Sequence, residues 1–323
     1  MTRRDTILAA LSGAAFFVAP ALADPPVLDF PLDCSLGQDC VVQQYMDRDP
    51  GPGALDFTCG PLTYDGHTGT DIRLHDFAAM AAGVRVLAAA PGIVTGLRNS
   101  APDTGRAGMA AGQECGNGVL IDNGEGWQTQ YCHMLQGSIT VAQGQVVEAG
   151  TPLGLVGYSG NTEFPHLHLS VRADGIPVDP FAPGASCGDP GDGPLWRGDL
   201  AYQPGGILTA GFAPDMPAFE TIQAGEAGTT TLPADAPALV IWGYLFGGRA
   251  GDEVRLSIRQ PDGSLLHDVT VPLERRQAQL FRGTGLRARP GGWLPGLYQG
   301  EVRLIRDGRE VDRTTTTLTV TAP

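Results

Sequence analysis

Histidine is scarce in this chain, six in 323 residues, and two of the six stand two apart in Phe164-Pro165-His166-Leu167-His168-Leu169-Ser170-Val171. Leu167, Leu169 and Val171 alternate with His166, His168 and Ser170, and a period of two sends these sets to opposite faces of a strand. One face is apolar; the other carries two imidazoles. If one of them binds a metal, the other borders its open coordination position. Upstream, Asp65-Gly66-His67-Thr68-Gly69-Thr70-Asp71 separates a histidine from an aspartate by three residues. Gly66 and Gly69 ease the turn that lets both converge on one ion. Between these stretches lies Thr129-Gln130-Tyr131-Cys132-His133-Met134, where alternation places Tyr131 and His133 on one face and Cys132 on the other.

Each stretch alone is weak, since a histidine and aspartate so spaced are usually accidental and an edge strand often carries solvated histidines. Together they offer three nitrogen or oxygen ligands plus an open position, which is what a catalytic zinc site requires. Zinc's borderline softness suits two imidazoles and a carboxylate. His166 and His168 share a face, so alternation leaves open which of them reaches the metal.

The elements that must position these residues read as short strands. From Tyr64 onward, runs such as Thr70 to Leu74, Gly92 to Leu97, Gln128 to His133 and Leu167 to Arg172 alternate with glycine-containing turns, and only His75 to Ala82 suggests a helical turn. This predicts an all-β chain: an antiparallel barrel-like or sandwich-like domain at 61–185, preceded by an irregular segment at 24–60. The Gly, Pro and Asp-rich stretch 186–206 reads as a linker. Beyond it, about seven alternating strands in 207–323 predict an immunoglobulin-like β-sandwich, with one histidine and no cysteine. Asn99 to Gln113 is a long polar loop, either a lid or a tolerated insertion.

Residues 1–23 carry Arg3 and Arg4, an apolar run from Ile7 to Ala21, and Ala21-Leu22-Ala23 before Asp24. That is the pattern of a secretory leader, so the mature chain is expected to begin at Asp24 without a membrane anchor. All six cysteines lie beyond it, an even number suited to an oxidising compartment. Cys34 and Cys40 would close a tight loop. A turn at Asp122 to Gly126 would bring Cys115 roughly opposite Cys132, leaving Cys59 with Cys187 to tie the start of the β-domain to its end. The formal net charge is -14, and the acidity is concentrated in residues 24–200. That argues against nucleic acid or an anionic membrane surface as a partner of that part.

In order along the chain, His67-x3-Asp71, His133 and Pro165-His166-Leu167-His168 resemble the lysostaphin-type (LytM-like) zinc metallopeptidases, which cleave peptides of peptidoglycan. The resemblance runs from about Asp65 to Pro180. It includes Val86 to Val94, Gly116-Asn117-Gly118-Val119, Gly144-Gln145-Val146-Val147, Gly154-Leu155-Val156-Gly157 and Val178-Asp179-Pro180. It implies the duplicated hybrid motif fold, one zinc ion per chain held by His67, Asp71 and His168, and an unligated pair, His166 and His133, beside it. It also implies periplasmic or secreted action on peptidoglycan peptide stems, at a D-alanyl to diamino-acid cross-link or a glycyl-glycine bridge. The family usually has small residues before its Pro-His-Leu-His run. Here Asn161-Thr162-Glu163-Phe164 puts a charge and an aromatic at the groove edge. His75 matches no family position and is expected at the surface.

Three other readings compete. A relative that has lost catalysis and activates other wall hydrolases fits the fold, but all five metal-site residues are present. Lipoyl and biotinyl carrier domains share the Val86 to Val94 and Gly144 to Gly154 patterns, but they need a lysine and this chain has none. A wall-binding protein whose C-terminal half is the functional part is the third, and binding of cell wall or a protein partner is the expected role of that half.

Overall fold

The computed structural model describes residues 24–184 and 186–322. The expected leader at 1–23 lies outside them. In chain order the first part contributes β1 (Cys40–Gln44), β2 (Thr70–Leu74), α1 (Phe77–Ala82), β3 (Arg85–Leu87), β4 (Gly92–Arg98), β5 (Asn117–Gly124), β6 (Trp127–Met134), β7 (Val146–Val147), β8 (Pro152–Leu155), β9 (His166–Ala173) and β10 (Ile176–Val178). Eight of these strands form one antiparallel sheet in the order β1-β2-β9-β6-β5-β4-β7, with β10 beside β9, while β3 and β8 form a separate ribbon. Ile72, Leu74, Leu167, Leu169 and Val171 all enter one core with Leu28, Tyr45, Tyr131 and Trp196. Each such fully buried side chain contributes roughly 1.5–3 kcal/mol, which fixes the register of β2 against β9.

The segment expected to be irregular contains β1. It pairs with β2, with Val42 opposite Ile72 and a bulge between Val42 and Gln44. Five residues interrupted by a bulge show too little of a period to be read.

The second part contributes β11 (Gly206–Ala213), α2 (Phe219–Ala224), β12 (Thr231–Pro233), β13 (Ala238–Gly248), β14 (Glu253–Arg259), β15 (Leu265–Pro272), β16 (Gln277–Arg287), β17 (Gly296–Arg306) and β18 (Arg309–Thr321). A three-stranded sheet, β11-β13-β16, faces a five-stranded one, β12-β18-β17-β14-β15. Leu239, Ile241 and Leu245 from the first meet Val254, Leu256, Val302 and Leu318 from the second in a sandwich core. The fold is thus all-β, with two six-residue helices. Strand β11 escaped the sequence reading because four of its eight residues are glycine or alanine, which masks the alternation.

A third apolar cluster joins the two halves: Val41 of β1 is buried with Leu208, Ala213, Ile222, Trp242, Tyr244 and Phe246. The Gly and Pro-rich stretch between the halves also lies against the first core. Leu195 and Trp196 are buried in it, and the Tyr202 hydroxyl donates to Asp56 at 2.7 Å. The three disulfides are Cys34–Cys40, Cys59–Cys187 and Cys115–Cys132, the pairing the spacing suggested. Among the described residues no helix is long and apolar enough to cross a membrane.

Candidate metal centre

Strand pairing places two of the candidate ligands. Asp71 on β2 is the cross-strand partner of His168 on β9, and Arg73 is the partner of His166. These four therefore share the face opposite the core. Asp71 Oδ1 lies 2.8 Å from His168 Nδ1. His67 arrives from the turn before β2, and its Nε2 stands 3.1 Å from Asp71 Oδ1 and 3.2 Å from His168 Nδ1. The turn needs glycine at position 69, where a Cβ would lie 2.6 Å from both His168 Nε2 and the Leu169 carbonyl.

The ligand-bearing atoms of His67, Asp71 and His168 all lie within 4.8 Å of one another. Tetrahedral zinc with ligands at about 2.0–2.1 Å sets them roughly 3.3 Å apart, close to the separations here. His67 Nδ1 donates to the Tyr45 carbonyl at 2.6 Å, which leaves the Nε2 lone pair facing the cluster. On His168 the roles of the nitrogens are exchanged: Nε2 meets Ser170 Oγ at 3.0 Å and Nδ1 faces the cluster. Convergence of two imidazole lone pairs on one carboxylate oxygen suits a divalent cation, and these residues can hold one.

His133 and His166 flank this trio. Their rings are 4.6 Å apart, and His133 is 5.9 Å from the His168 ring. His166 Nε2 approaches Asp71 Oδ1 at 3.4 Å, while its Nδ1 donates to the Phe164 carbonyl at 2.9 Å. His133 Nδ1 donates to the Ser159 carbonyl at 2.8 Å. Simple alternation along β6 fails here. Tyr131 pairs with Leu169 and enters the core, and Cys132 is the residue opposite His168. His133 nevertheless reaches the histidine side because its φ is +63°, a left-handed conformation next to the register shift between β5 and β6.

Burial dominates the electrostatics of the cluster. It pushes the Asp71 carboxyl up, but the neighbouring imidazoles of His67, His166 and His168 hold it well below the ordinary carboxylate range. Burial pulls His67 down and the Asp71 anion more than offsets this, so its pKa is raised. Burial lowers His168 despite Asp71. Burial, with His166 and His168 nearby, puts His133 well below the usual imidazole value, so it is neutral at pH 7.

The site opens into a cleft of about 210 Å³, lined by Asp71, His133 and His166 together with residues that sequence reasoning did not single out. The Tyr64 ring, just ahead of the Asp65-Gly66-His67 turn, lies 4.5 Å from the His67 ring, tilted 30° to it. Arg106, from the long loop after β4, joins Glu163 at 2.9 Å across the rim, so the charge at the groove edge is paired. Gln43 of β1 and Gln279 of β16 also line it. Nothing local in the sequence marks these glutamines, because their role depends on which strands meet. His75 is partly exposed and outside the cluster.

Residues 65–180 match the family model of Peptidase family M23. Among curated proteins, the chain is 36% identical over 113 residues to the DD-carboxypeptidase/endopeptidase Mpg of Neisseria meningitidis, covering 34% of this chain and 23% of that protein. It is 33% identical over 113 residues to the peptidoglycan DD-endopeptidase ShyA of Vibrio cholerae, covering 35% of this chain and 22% of that one. The chain thus spans less than a quarter of the length of these relatives. Among solved structures, a mutant catalytic domain of the prophage-encoded M23 protein EnpA from Enterococcus faecalis is similar at 25% identity. That likeness covers 44% of this chain and 90% of EnpA's, with a TM-score of 0.32. Residues 65–180, which hold the paired strands β2 and β9 and all five clustered residues, are a domain of Peptidase family M23.

Proposed function

We propose that this chain is an exported zinc endopeptidase that hydrolyses the peptide cross-links of peptidoglycan. His67, Asp71 and His168 hold the ion, and His133 and His166 act beside it. The observation that carries the reading is the convergence of three ligand atoms within 4.8 Å at a cleft shared with two further histidines. The names of the M23 relatives support the substrate class. The leader pattern and three disulfides support export to an oxidising compartment. The two separate cores support a peptidase unit at 61–185 and a sandwich unit at 207–323, joined by 186–206.

When bound, zinc lowers the pKa of a water toward neutrality and polarises a scissile carbonyl. The chain's own residues handle the protons. A backbone carbonyl only accepts, so the proton of His133 sits on Nδ1 against Ser159, and that of His166 sits on Nδ1 against Phe164. That leaves the Nε2 lone pairs, the one on His166 being 3.4 Å from Asp71 Oδ1, to take a proton from the attacking water and return it to the leaving amine. The bond favoured is the D-alanyl to diamino-acid cross-link.

Metal analysis of the purified chain, with mass analysis of fragments released from purified peptidoglycan, tests this. One zinc per chain and cleaved D-alanyl cross-links are expected, with both lost in Asp71→Ala. A zinc-loaded chain that leaves every cross-link intact would refute the reading.

A further inference from the structure

Arg73 follows Asp71 by two residues on β2 and is only 1% exposed. A buried guanidinium is costly unless its donors are met. Here they meet neutral groups. Nε donates to the Leu74 carbonyl at 3.0 Å, Nη1 to Gln43 Oε1 and, at 3.5 Å, to Gln279 Oε1, and Nη2 to the Tyr244 hydroxyl at 3.0 Å. The Tyr244 hydroxyl in turn donates to Gln279 Oε1 at 2.5 Å. The guanidinium also lies 4.5 Å over the Phe164 ring at the cleft.

A guanidinium has donors and no acceptor. Both glutamines must therefore turn their amide oxygens toward Arg73, and this orients their NH2 groups. Gln43 is 1% exposed, and its Nε2 is buried without a hydrogen-bond partner. Leaving such a donor unmet costs roughly 1–3 kcal/mol. Both glutamines line the cleft that contains Asp71, His133 and His166. One comes from the first strand of the catalytic sheet and the other from the C-terminal sandwich.

We propose that Gln43 and Gln279 are a substrate-binding pair whose amide NH2 groups receive main-chain carbonyl oxygens of an extended peptide lying in the cleft. Arg73 is the positioning residue that holds both amides in that orientation. This deepens the endopeptidase reading and rests on it for the identity of the peptide. The C-terminal sandwich is then one wall of the substrate site. The competing occupant is a water molecule: a second cavity of about 10 Å³, also bordered by Gln43, is large enough for one.

Gln43→Glu and Gln279→Glu separate these outcomes, because each keeps an acceptor for Arg73 and removes the NH2 donor. The probe is the disaccharide-tetrapeptide dimer released from purified peptidoglycan by a muramidase. Steady-state turnover by the full chain gives KM and kcat, and calorimetry with the chelator-treated chain gives Kd. Each variant should raise KM and Kd about tenfold, with kcat within about a factor of two and the zinc content unchanged. Gln277→Glu, also on β16 but outside the cleft lining, should change neither. Should a Glu variant fail to fold, Gln43→Met and Gln279→Met carry the same expectation. Unchanged Kd in the variants, or no binding of the dimer by the wild-type chain, would overturn the proposal. Absence of hydrolysis with the Kd pattern intact would instead sink the endopeptidase reading and leave the glutamine pair standing.

Discussion

Asp71 and His168 are direct cross-strand partners on β2 and β9, and the carboxylate oxygen of one lies 2.8 Å from Nδ1 of the other. A slip of one residue between these strands would set Leu167 or Leu169 against Asp71 and turn the polar set into the core. The buried leucines on the other face thus fix the geometry of the candidate metal site along with its own contacts. Four predictions follow from this arrangement and its surroundings.

If His67, Asp71 and His168 hold zinc as proposed, alanine at any one leaves two ligands, so zinc content and turnover should fall together. His133→Ala and His166→Ala should keep zinc while turnover drops by about two to four powers of ten, the usual worth of a positioned acid, base or oxyanion donor. Metal analysis of the single variants decides the assignment. A zinc-free His166→Ala chain beside a zinc-loaded His168→Ala chain would reverse the roles of the two.

Gly69 is held at its size by His168 and the Leu169 carbonyl, each 2.6 Å from where a Cβ would sit. Gly69→Ala should push β2 from β9 or rotate the His168 ring, destabilising the chain by roughly 1–3 kcal/mol and weakening zinc. Gly66→Ala is the comparison, since nothing lies within 4 Å of its Cβ position and only its φ of +75° resists the change. Equal zinc affinity in Gly69→Ala and the wild type would show that the close approach is not needed.

Asp179 supplies a pH test. Burial raises its pKa from the ordinary 3.8 to about 6, against the opposing pull of the Phe181 N–H and Arg48, and its Oδ2 has no partner. The fold favours the protonated acid, so this stabilisation is fully present below 3.8 and is lost as pH rises through 6. The loss amounts to about 3 kcal/mol. Asp179→Asn cannot ionise, so its stability relative to wild type should climb between about pH 4 and pH 7 and then level off. Urea unfolding at several pH values measures this, and a gap independent of pH would refute it.

The disulfides should rank by the loops they close. Cys115–Cys132 spans 17 residues and Cys59–Cys187 spans 128. In the chain-entropy account, replacing both cysteines by serine should cost about 3 kcal/mol for the first and about 5 for the second. Denaturant midpoints of the two double variants check the order, and a larger loss from the shorter loop would contradict it.

The alternation of Leu167, Leu169 and Val171 with two histidines was legible because a buried sheet face enforces a period of two. The cysteine pairing was legible because short loops and a hairpin turn constrain it. His133 was found as a candidate but put on the wrong side of β6 relative to Tyr131. A single left-handed residue breaks the period, and no residue type announces it, since histidine adopts that conformation without needing glycine. Gln43 and Gln279 were invisible for a different reason. Periodicity tells which face a side chain takes but not which distant strand covers that face, and these two are brought together only by the docking of the sandwich on β1.

Val41, two residues before Gln43, is buried among Leu208, Trp242, Tyr244 and Phe246 of the second half. The strand that lines one side of the cleft is therefore held by the same apolar contacts that join the two halves. That wall loses its conformational freedom when the chain folds, not when a peptide arrives. On the proposed reading, discrimination among peptides lies in complementarity to a wall whose position folding has already set.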